Sequence, residues 1–137
     1  MKTLALDVGT KTIGVAVSDE LGITANGLGV VRRTDEENDL QSLAAFINEH
    51  KPGRIVVGIP FNADGSLGER ARAIKDFSET VSRTFGIKTV LWDESFSTKE
   101  AEKALIGGGM GRKKRKKVVD KVAATVILRE YLDSAEG

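Results

Sequence analysis

Three strand-like segments open this chain, and helix-like and strand-like segments alternate after them. The strand-like segments are residues 3–8, 13–18, 27–33, 54–59 and 88–92. They are rich in apolar and β-branched side chains, and the short link at residues 9–12 suggests an antiparallel hairpin. This order predicts an α/β fold in which a mixed sheet carries helices on its faces.

Side chains typical of helix starts precede the helix-like segments. Three Ser/Thr–Glu pairs have the spacing of a capping box: Thr34 with Glu37, Ser66 with Glu69, and Ser97 with Glu100. The first helix should run to about Lys51, where Pro52 and Gly53 stop it. A glycine-rich loop at residues 107–111 is expected to lead into a basic run, followed by a last helix over roughly residues 118–132.

Length and composition narrow the class of protein. The 137 residues fit one domain, residues 1–137, and are too few for two lobes that close on a nucleotide. The chain has no cysteine, which excludes disulfides and thiolate metal sites. Its apolar runs are shorter than the roughly 18 residues of a membrane span, so no membrane association and a cytoplasmic location are expected.

Positive charge is concentrated in one segment. The net charge is only +1, yet six consecutive basic residues occur: Arg112, Lys113, Lys114, Arg115, Lys116 and Lys117. Without them, 15 basic residues face 20 acidic ones. Such a run is either a solvated loop or a site that binds phosphates, because clustered cations release counterions from a nucleic acid backbone.

Three acids lie where a sheet could bring them together. Asp7 ends the first strand, Glu94 and its neighbour Asp93 follow the last strand, and Asp120 is on the last helix near two alanines that would allow close packing. Ligands of α/β sheets collect at the carboxyl ends of strands. Converging carboxylates repel one another and favour hard cations with oxygen ligands, so two Mg²⁺ or Mn²⁺ ions are the expected cofactors. Alternatively, Asp7 caps a turn and the other two acids stabilise helix starts.

Four motifs resemble those of the YqgF family, also called RuvX. They are residues 6–16 (LDVGTKTIGVA), residues 57–65 (VGIPFNADG), residues 93–98 (DESFST), and Asp120 with the apolar residues after it. The resemblance covers essentially the whole chain. One departure is Ser95, where the family commonly has Arg.

The resemblance implies an RNase H-like fold with a five-stranded mixed sheet, whose first three strands are antiparallel, flanked by helices on both faces. It implies that Asp7, Glu94 and Asp120 form a metal-binding catalytic triad. It also implies a nuclease that processes the 5′ end of the 16S ribosomal RNA precursor. Two alternatives stay open: a resolvase of Holliday junctions, which are four-way DNA, and a non-catalytic RNA-binding factor in ribosome assembly.

Contacts with nucleic acid, either precursor rRNA or branched DNA, are expected outside the triad. Lys11 lies in the first turn near Asp7, and Asn62 follows the fourth strand. Together with residues 112–117, they are the candidate binding residues. Lys11 could instead be a solvated turn residue, and Asn62 could stabilise its own loop through an Asx turn. The chain is expected to be a monomer or a weak homodimer.

Overall fold

The computed structural model describes residues 1–93 and 112–134, and it describes the side chains of the last helix from Val122 onward. Its elements are β1 (Thr3–Val8), β2 (Thr12–Ser18), β3 (Ala25–Arg32), α1 (Glu36–His50), β4 (Arg54–Ile59), α2 (Glu69–Phe85), β5 (Lys88–Asp93) and α3 (Arg112–Asp133). All five predicted strands are present, with ends that differ from the prediction by two residues at most. The helix predicted after Ser97 and the loop at residues 107–111 lie outside the described residues.

The five strands form one mixed sheet in the order β3-β2-β1-β4-β5. β1 pairs antiparallel with β2, and β2 pairs antiparallel with β3. β4 lies parallel to β1 on its other side, and β5 lies parallel to β4. The carboxyl ends of β1, β4 and β5 therefore meet at one edge, which we call the carboxyl edge of the sheet. This topology confirms the expected mixed sheet with its first three strands antiparallel.

Helices α1 and α2 cover one face of the sheet. Side chains alternate between the faces of a strand, and Leu4, Leu6 and Val8 of β1 point toward these helices. Leu43 and Ile47, spaced by four residues, place the buried stripe of α1 against the same core. The central strands β1 and β4 are thus buried, and their ends are held in fixed positions.

Helix α3 covers the opposite face. Ala5 and Ala16 of the sheet pack against Ala124 and Leu128, and all four are fully buried. With helices on both faces, the expected α/β class is confirmed. Within the described residues, neither α3 nor any other helix combines the length and apolar character that a membrane crossing requires.

Two predicted helix caps were wrong. In both cases a nearby aspartate forms a hydrogen bond that the prediction did not include. Asp35, not Thr34, caps α1, and its side chain accepts from the backbone N–H of Asn38. Ser66 does not cap α2, and its hydroxyl donates to Asp64 at 2.6 Å. The cap of α2 is Gly68, which makes no side-chain capping bond.

The last helix starts earlier than predicted. It begins at Arg112 instead of residue 118, so the basic run forms the first turns of α3 and is not a loop before it. Lys and Arg have good helix propensity, and the last helix-breaking residue before the run is Gly111. The run therefore has a defined backbone direction relative to the sheet.

The close approach of α3 leads to a first prediction. Replacing Ala124 with Leu adds volume to a fully buried contact and should lower the free energy of unfolding by about 1–3 kcal/mol. Ala45 is exposed on α1, so Ala45→Leu should change it by less than about 0.5 kcal/mol. Urea unfolding monitored by circular dichroism would measure both. Equal free energies of unfolding for the two variants would contradict close packing of α3 at Ala124.

Candidate active site

Of the three predicted acids, Asp7 is the one whose side chain the structure describes. It is the penultimate residue of β1, at the carboxyl edge, and only 9% of its surface is exposed. Side-chain alternation puts it on the same face as Ala5, which packs against α3. Asp7 is thus a buried carboxylate on the face of the sheet that α3 covers.

Glycines flank Asp7 on both neighbouring strands. Gly14 of β2 is its direct cross-strand partner. On β4, Leu6 pairs with Val57, so the next residue along, Gly58, lies beside Asp7. A glycine within a strand often marks a place where a ligand or another chain segment approaches the backbone closely. The sheet is therefore without side chains on either side of the Asp7 carboxylate.

The direction of α3 places Asp120 at the same end of the molecule. Tyr131, near the end of α3, accepts a hydrogen bond from Arg54 at the start of β4, so the helix runs antiparallel to β1 and β4. Ala124 packs against Ala5. Asp120 is one turn before Ala124, on the part of the helix toward Asp7. Its side chain lies outside the described residues.

Glu94 lies outside the described residues, but the strand that leads to it is described. β5 ends at Asp93, which is in register with Ile59 at the end of β4. Only β4 separates β5 from β1, so the two strands are about 9–10 Å apart. Within the described side chains, no three acidic or histidine residues form a metal-binding cluster, and two members of the predicted triad are not among them.

An ion pair fixes the turn that follows Asp7. Arg33, just after β3, donates from Nε to the Asp39 carboxylate at 3.1 Å and from one terminal nitrogen to the Gly9 carbonyl at 2.8 Å. Asp39 is 2% exposed and also accepts from the Thr34 backbone N–H. This network joins α1, the end of β3 and the β1–β2 turn.

A side chain at Gly9 would be crowded. Its N–H donates to the Thr12 carbonyl at 2.8 Å, which closes the turn. A Cβ at Gly9 would lie 3.0 Å from that same carbonyl oxygen. The turn directly after Asp7 is therefore held by backbone geometry as well as by Arg33.

Sequence reasoning missed Arg33 and Asp39, although one signal was present. Asp39, Leu43 and Ile47 are spaced by four residues, so a carboxylate occupies the buried stripe of α1. A charged residue in an apolar stripe needs a partner. The sequence does not show which of the chain's 21 basic residues supplies it.

The predicted binding residues differ in their surroundings. Lys11 is exposed in the β1–β2 turn, where its carbonyl accepts from the Arg33 backbone N–H. Asn62 is exposed but donates its side-chain amide to Ser66, in a loop that Asp64 also organises. The hydroxyl and backbone N–H of Ser66 hold the pKa of Asp64 below its ordinary value. These contacts show Asn62 stabilising its own loop.

The basic run lies beyond the carboxyl edge. With 1.5 Å of rise per residue, residues 112–117 are about 10–18 Å from Ala124 along α3. The first turn of α3 contains no acidic residue, so these cations add to the positive end of the helix dipole. Positive charge at the N-terminal end of a helix is unfavourable for the helix itself.

Comparison with solved structures identifies the class of fold. RuvC from T. thermophilus, in complex with a Holliday junction substrate, superposes with a TM-score of 0.61 over 99% of this chain and 98% of that chain, at 14% identity. The fowlpox virus resolvase gives 0.61 over 97% of each chain, also at 14% identity. These matches show that the chain has the RuvC-like, RNase H-like fold.

The whole sequence then gives the family. Residues 1–134 match the RuvX family, described as Holliday junction resolvase, and the chain belongs to this family. A relative from Carboxydothermus hydrogenoformans is 52% identical over 133 residues, which is 97% of this chain and 96% of the relative. Another from Geobacillus kaustophilus is 52% identical over 136 residues, or 98% and 99% of the two chains. Both relatives are named "Putative pre-16S rRNA nuclease". The resemblance found in the motifs is confirmed.

The Arg33 network leads to a second prediction. Arg33→Gln removes the charge that balances buried Asp39, and it should lower the free energy of unfolding by about 2–3 kcal/mol. Arg32→Gln is the matched control, because Arg32 is the exposed neighbour at the end of β3. Chemical denaturation of both variants would measure the difference. A loss no larger for Arg33→Gln than for Arg32→Gln would show that the network does not hold the turn.

Proposed function

We propose that this protein is a divalent-metal-dependent nuclease that processes the 5′ end of the 16S ribosomal RNA precursor. The observation that carries the proposal is the buried Asp7 carboxylate at the carboxyl edge, flanked by glycines and directed toward α3. The names of relatives about half identical in sequence support the choice of ribosomal RNA precursor. The cytoplasm is the compartment that goes with such a substrate.

We assign the metal site to Asp7, Glu94 and Asp120. Asp7 and Asp93, the residue before Glu94 in sequence, lie on strands about 9–10 Å apart, a span that two carboxylates and ions between them can fill. Asp120 would approach from α3. All donors are carboxylate oxygens, which suits Mg²⁺ or Mn²⁺ better than Zn²⁺. Gly14 and Gly58 leave the sheet surface beside Asp7 without side chains, which fits an ion and a phosphate there.

The protein residues bring the phosphodiester to the metal site and hold it there. Two bound divalent ions would supply activation of water and stabilisation of the leaving oxygen. Asp7, fixed by β1 and by the Gly9 turn, keeps its carboxylate in place before substrate arrives. Lys11 and residues 112–117 attract the nucleic acid backbone, and the helix dipole of α3 strengthens that attraction. No histidine general base is needed for this chemistry.

A resolvase of four-way DNA junctions is the second candidate. The description of the family as Holliday junction resolvase and the likeness to RuvC favour it. Resolution of a junction requires two cuts related by symmetry, and therefore two active sites in one homodimer. We expect a monomer or a weak homodimer, which fits RNA processing better. Junction cleavage accompanied by a stable dimer in solution would favour the resolvase.

The proposal predicts the effect of changing Asp7. Asp7→Asn keeps the shape of the side chain but removes its charge, so Mn²⁺-dependent cleavage should fall by at least about a hundredfold. Asp76→Asn makes the same chemical change at an exposed position of α2 and should leave cleavage unchanged. The assay uses a precursor RNA that spans the 5′ end of 16S rRNA and a four-way DNA junction, each with Mn²⁺ or EDTA.

The outcomes of this assay distinguish the RNA nuclease, the junction resolvase and the non-catalytic RNA-binding factor. Metal-dependent cleavage of the RNA that Asp7→Asn abolishes supports the nuclease. Cleavage of the junction alone, with the same dependence on Asp7, favours the resolvase. If the pure protein binds precursor RNA but cuts neither substrate, the nuclease proposal fails and a non-catalytic RNA-binding role in ribosome assembly replaces it.

A further inference from the structure

We propose that a pocket on the α2 side of the carboxyl edge binds a second backbone phosphate of the nucleic acid. The pocket has a volume of about 100 Å³ and is formed by the β1–β2 turn, the residue after β3 and the first turns of α2. Its ligand would be a phosphodiester next to the one that reaches Asp7. The inference rests on the proposed function, because it takes the ligand to be a polynucleotide.

The charges in the pocket select an anion. Among the side chains that the structure describes, Arg33 and Arg70 are the only charged ones that line it, and none of the acids does so. Thr10 adds a hydroxyl group, while α2 contributes the apolar surface of Ala73 and Ile74. The volume of the pocket is sufficient for a phosphate group. A phosphate fits these properties, since guanidinium groups match its geometry and charge.

Arg33 is oriented before any ligand binds. Its Nε donates to Asp39 and one terminal nitrogen donates to Gly9, while the guanidinium carbon lies 5.1 Å from the centre of the Phe77 ring. Among the described residues, none accepts a hydrogen bond from its second terminal nitrogen. A fixed guanidinium with a remaining donor loses little entropy when it binds a phosphate oxygen.

Arg70 supplies the positive charge that is not balanced. It is exposed in the first turn of α2 and makes no ion pair with the described residues. Asp39 balances Arg33, so the pocket keeps about one net positive charge from Arg70. A phosphate that contacts both guanidinium groups would remove the repulsion between them.

The position of the pocket indicates a polynucleotide as the source of the phosphate. Val8 and Gly9 line the pocket and directly follow Asp7, whose side chain is on the opposite face of the sheet. A strand that crosses the carboxyl edge would therefore present one phosphate to Asp7 and a neighbouring one to this pocket. Each nucleotide carries one such charge. Two contacts on opposite faces of the edge would fix the direction of the strand.

A comparison of two exposed arginines tests the proposal. Arg70 lines the pocket, whereas Arg72, two residues later on α2, is also exposed but does not. Binding of a fluorescein-labelled single-stranded RNA to the wild type, Arg70→Gln and Arg72→Gln is measured by anisotropy in EDTA, from about 50 to 200 mM salt. We expect Arg70→Gln to weaken binding about tenfold at the lowest salt and to reduce the slope of log K against log salt by about 0.7. Arg72→Gln should stay within about twofold of the wild type.

The outcomes are distinct from those of the cleavage assay, because no metal is present and Asp7 is unchanged. Equal affinities and slopes for the two arginine variants would overturn the pocket and leave the nuclease proposal intact. An absence of RNA binding by the wild type in EDTA would overturn the pocket, whereas the nuclease proposal is decided by the cleavage assay with Mn²⁺. Inorganic phosphate is titrated in a parallel arm. If it binds with the same dependence on Arg70 while the RNA slope does not change, the pocket is a free-phosphate site, and the polynucleotide contact is wrong.

Discussion

The contact of α3 with the centre of the sheet determines the geometry of the candidate site. Ala5 and Ala16 meet Ala124 with no exposed surface, so the helix axis lies close to β1. The antiparallel direction of α3 relative to β1 then places Asp120 toward Asp7 and the basic run beyond the carboxyl edge. Larger side chains at this contact would push α3 away from the sheet, and Asp120 and the basic run would move with it. Packing, charge placement and proposed function thus depend on a few small residues.

Charged groups are concentrated at this edge of the molecule. A buried carboxylate on β1 loses solvation, and six cations at the start of α3 oppose its dipole. Neither feature belongs to the hydrophobic core, which the apolar faces of β1, β4, α1, α2 and α3 form. Such costs are typical of functional sites, where a ligand of the opposite charge compensates. In the proposed function, divalent cations are the ligands of the carboxylates and a nucleic acid backbone is the ligand of the basic run.

Local patterns in the sequence predicted much of the fold. The strands followed from runs of β-branched residues, and the mixed α/β class followed from the order of the segments. The family resemblance added that the first three strands are antiparallel. The full strand order was not predicted, because pairing between β1 and β4 joins segments about fifty residues apart and leaves no local pattern. Helix starts were less predictable. Asp35 replaced Thr34 as the cap, and Ser66 paired with Asp64, because several side chains compete locally for the same hydrogen bonds.

The candidate site was predictable only in part. Asp7 could be chosen because it ends a strand before a glycine turn, and the structure places it in a buried position at the carboxyl edge. The network of Arg33, Asp39 and Gly9 could not be predicted, since its members come from three elements that meet only in the folded chain. The same holds for the pocket between Arg33 and Arg70. Side chains on different elements become neighbours through the sheet topology, which single-residue patterns do not encode.

The central claim is that Asp7, Glu94 and Asp120 hold divalent cations at the carboxyl edge. The most direct test is a crystal structure of the protein grown with Mn²⁺, with anomalous scattering recorded at the manganese absorption edge. The account predicts one or two peaks within about 2.0–2.3 Å of carboxylate oxygens from all three residues. Peaks at other acids, or a structure in which the three carboxylates lie too far apart to share an ion, would contradict it.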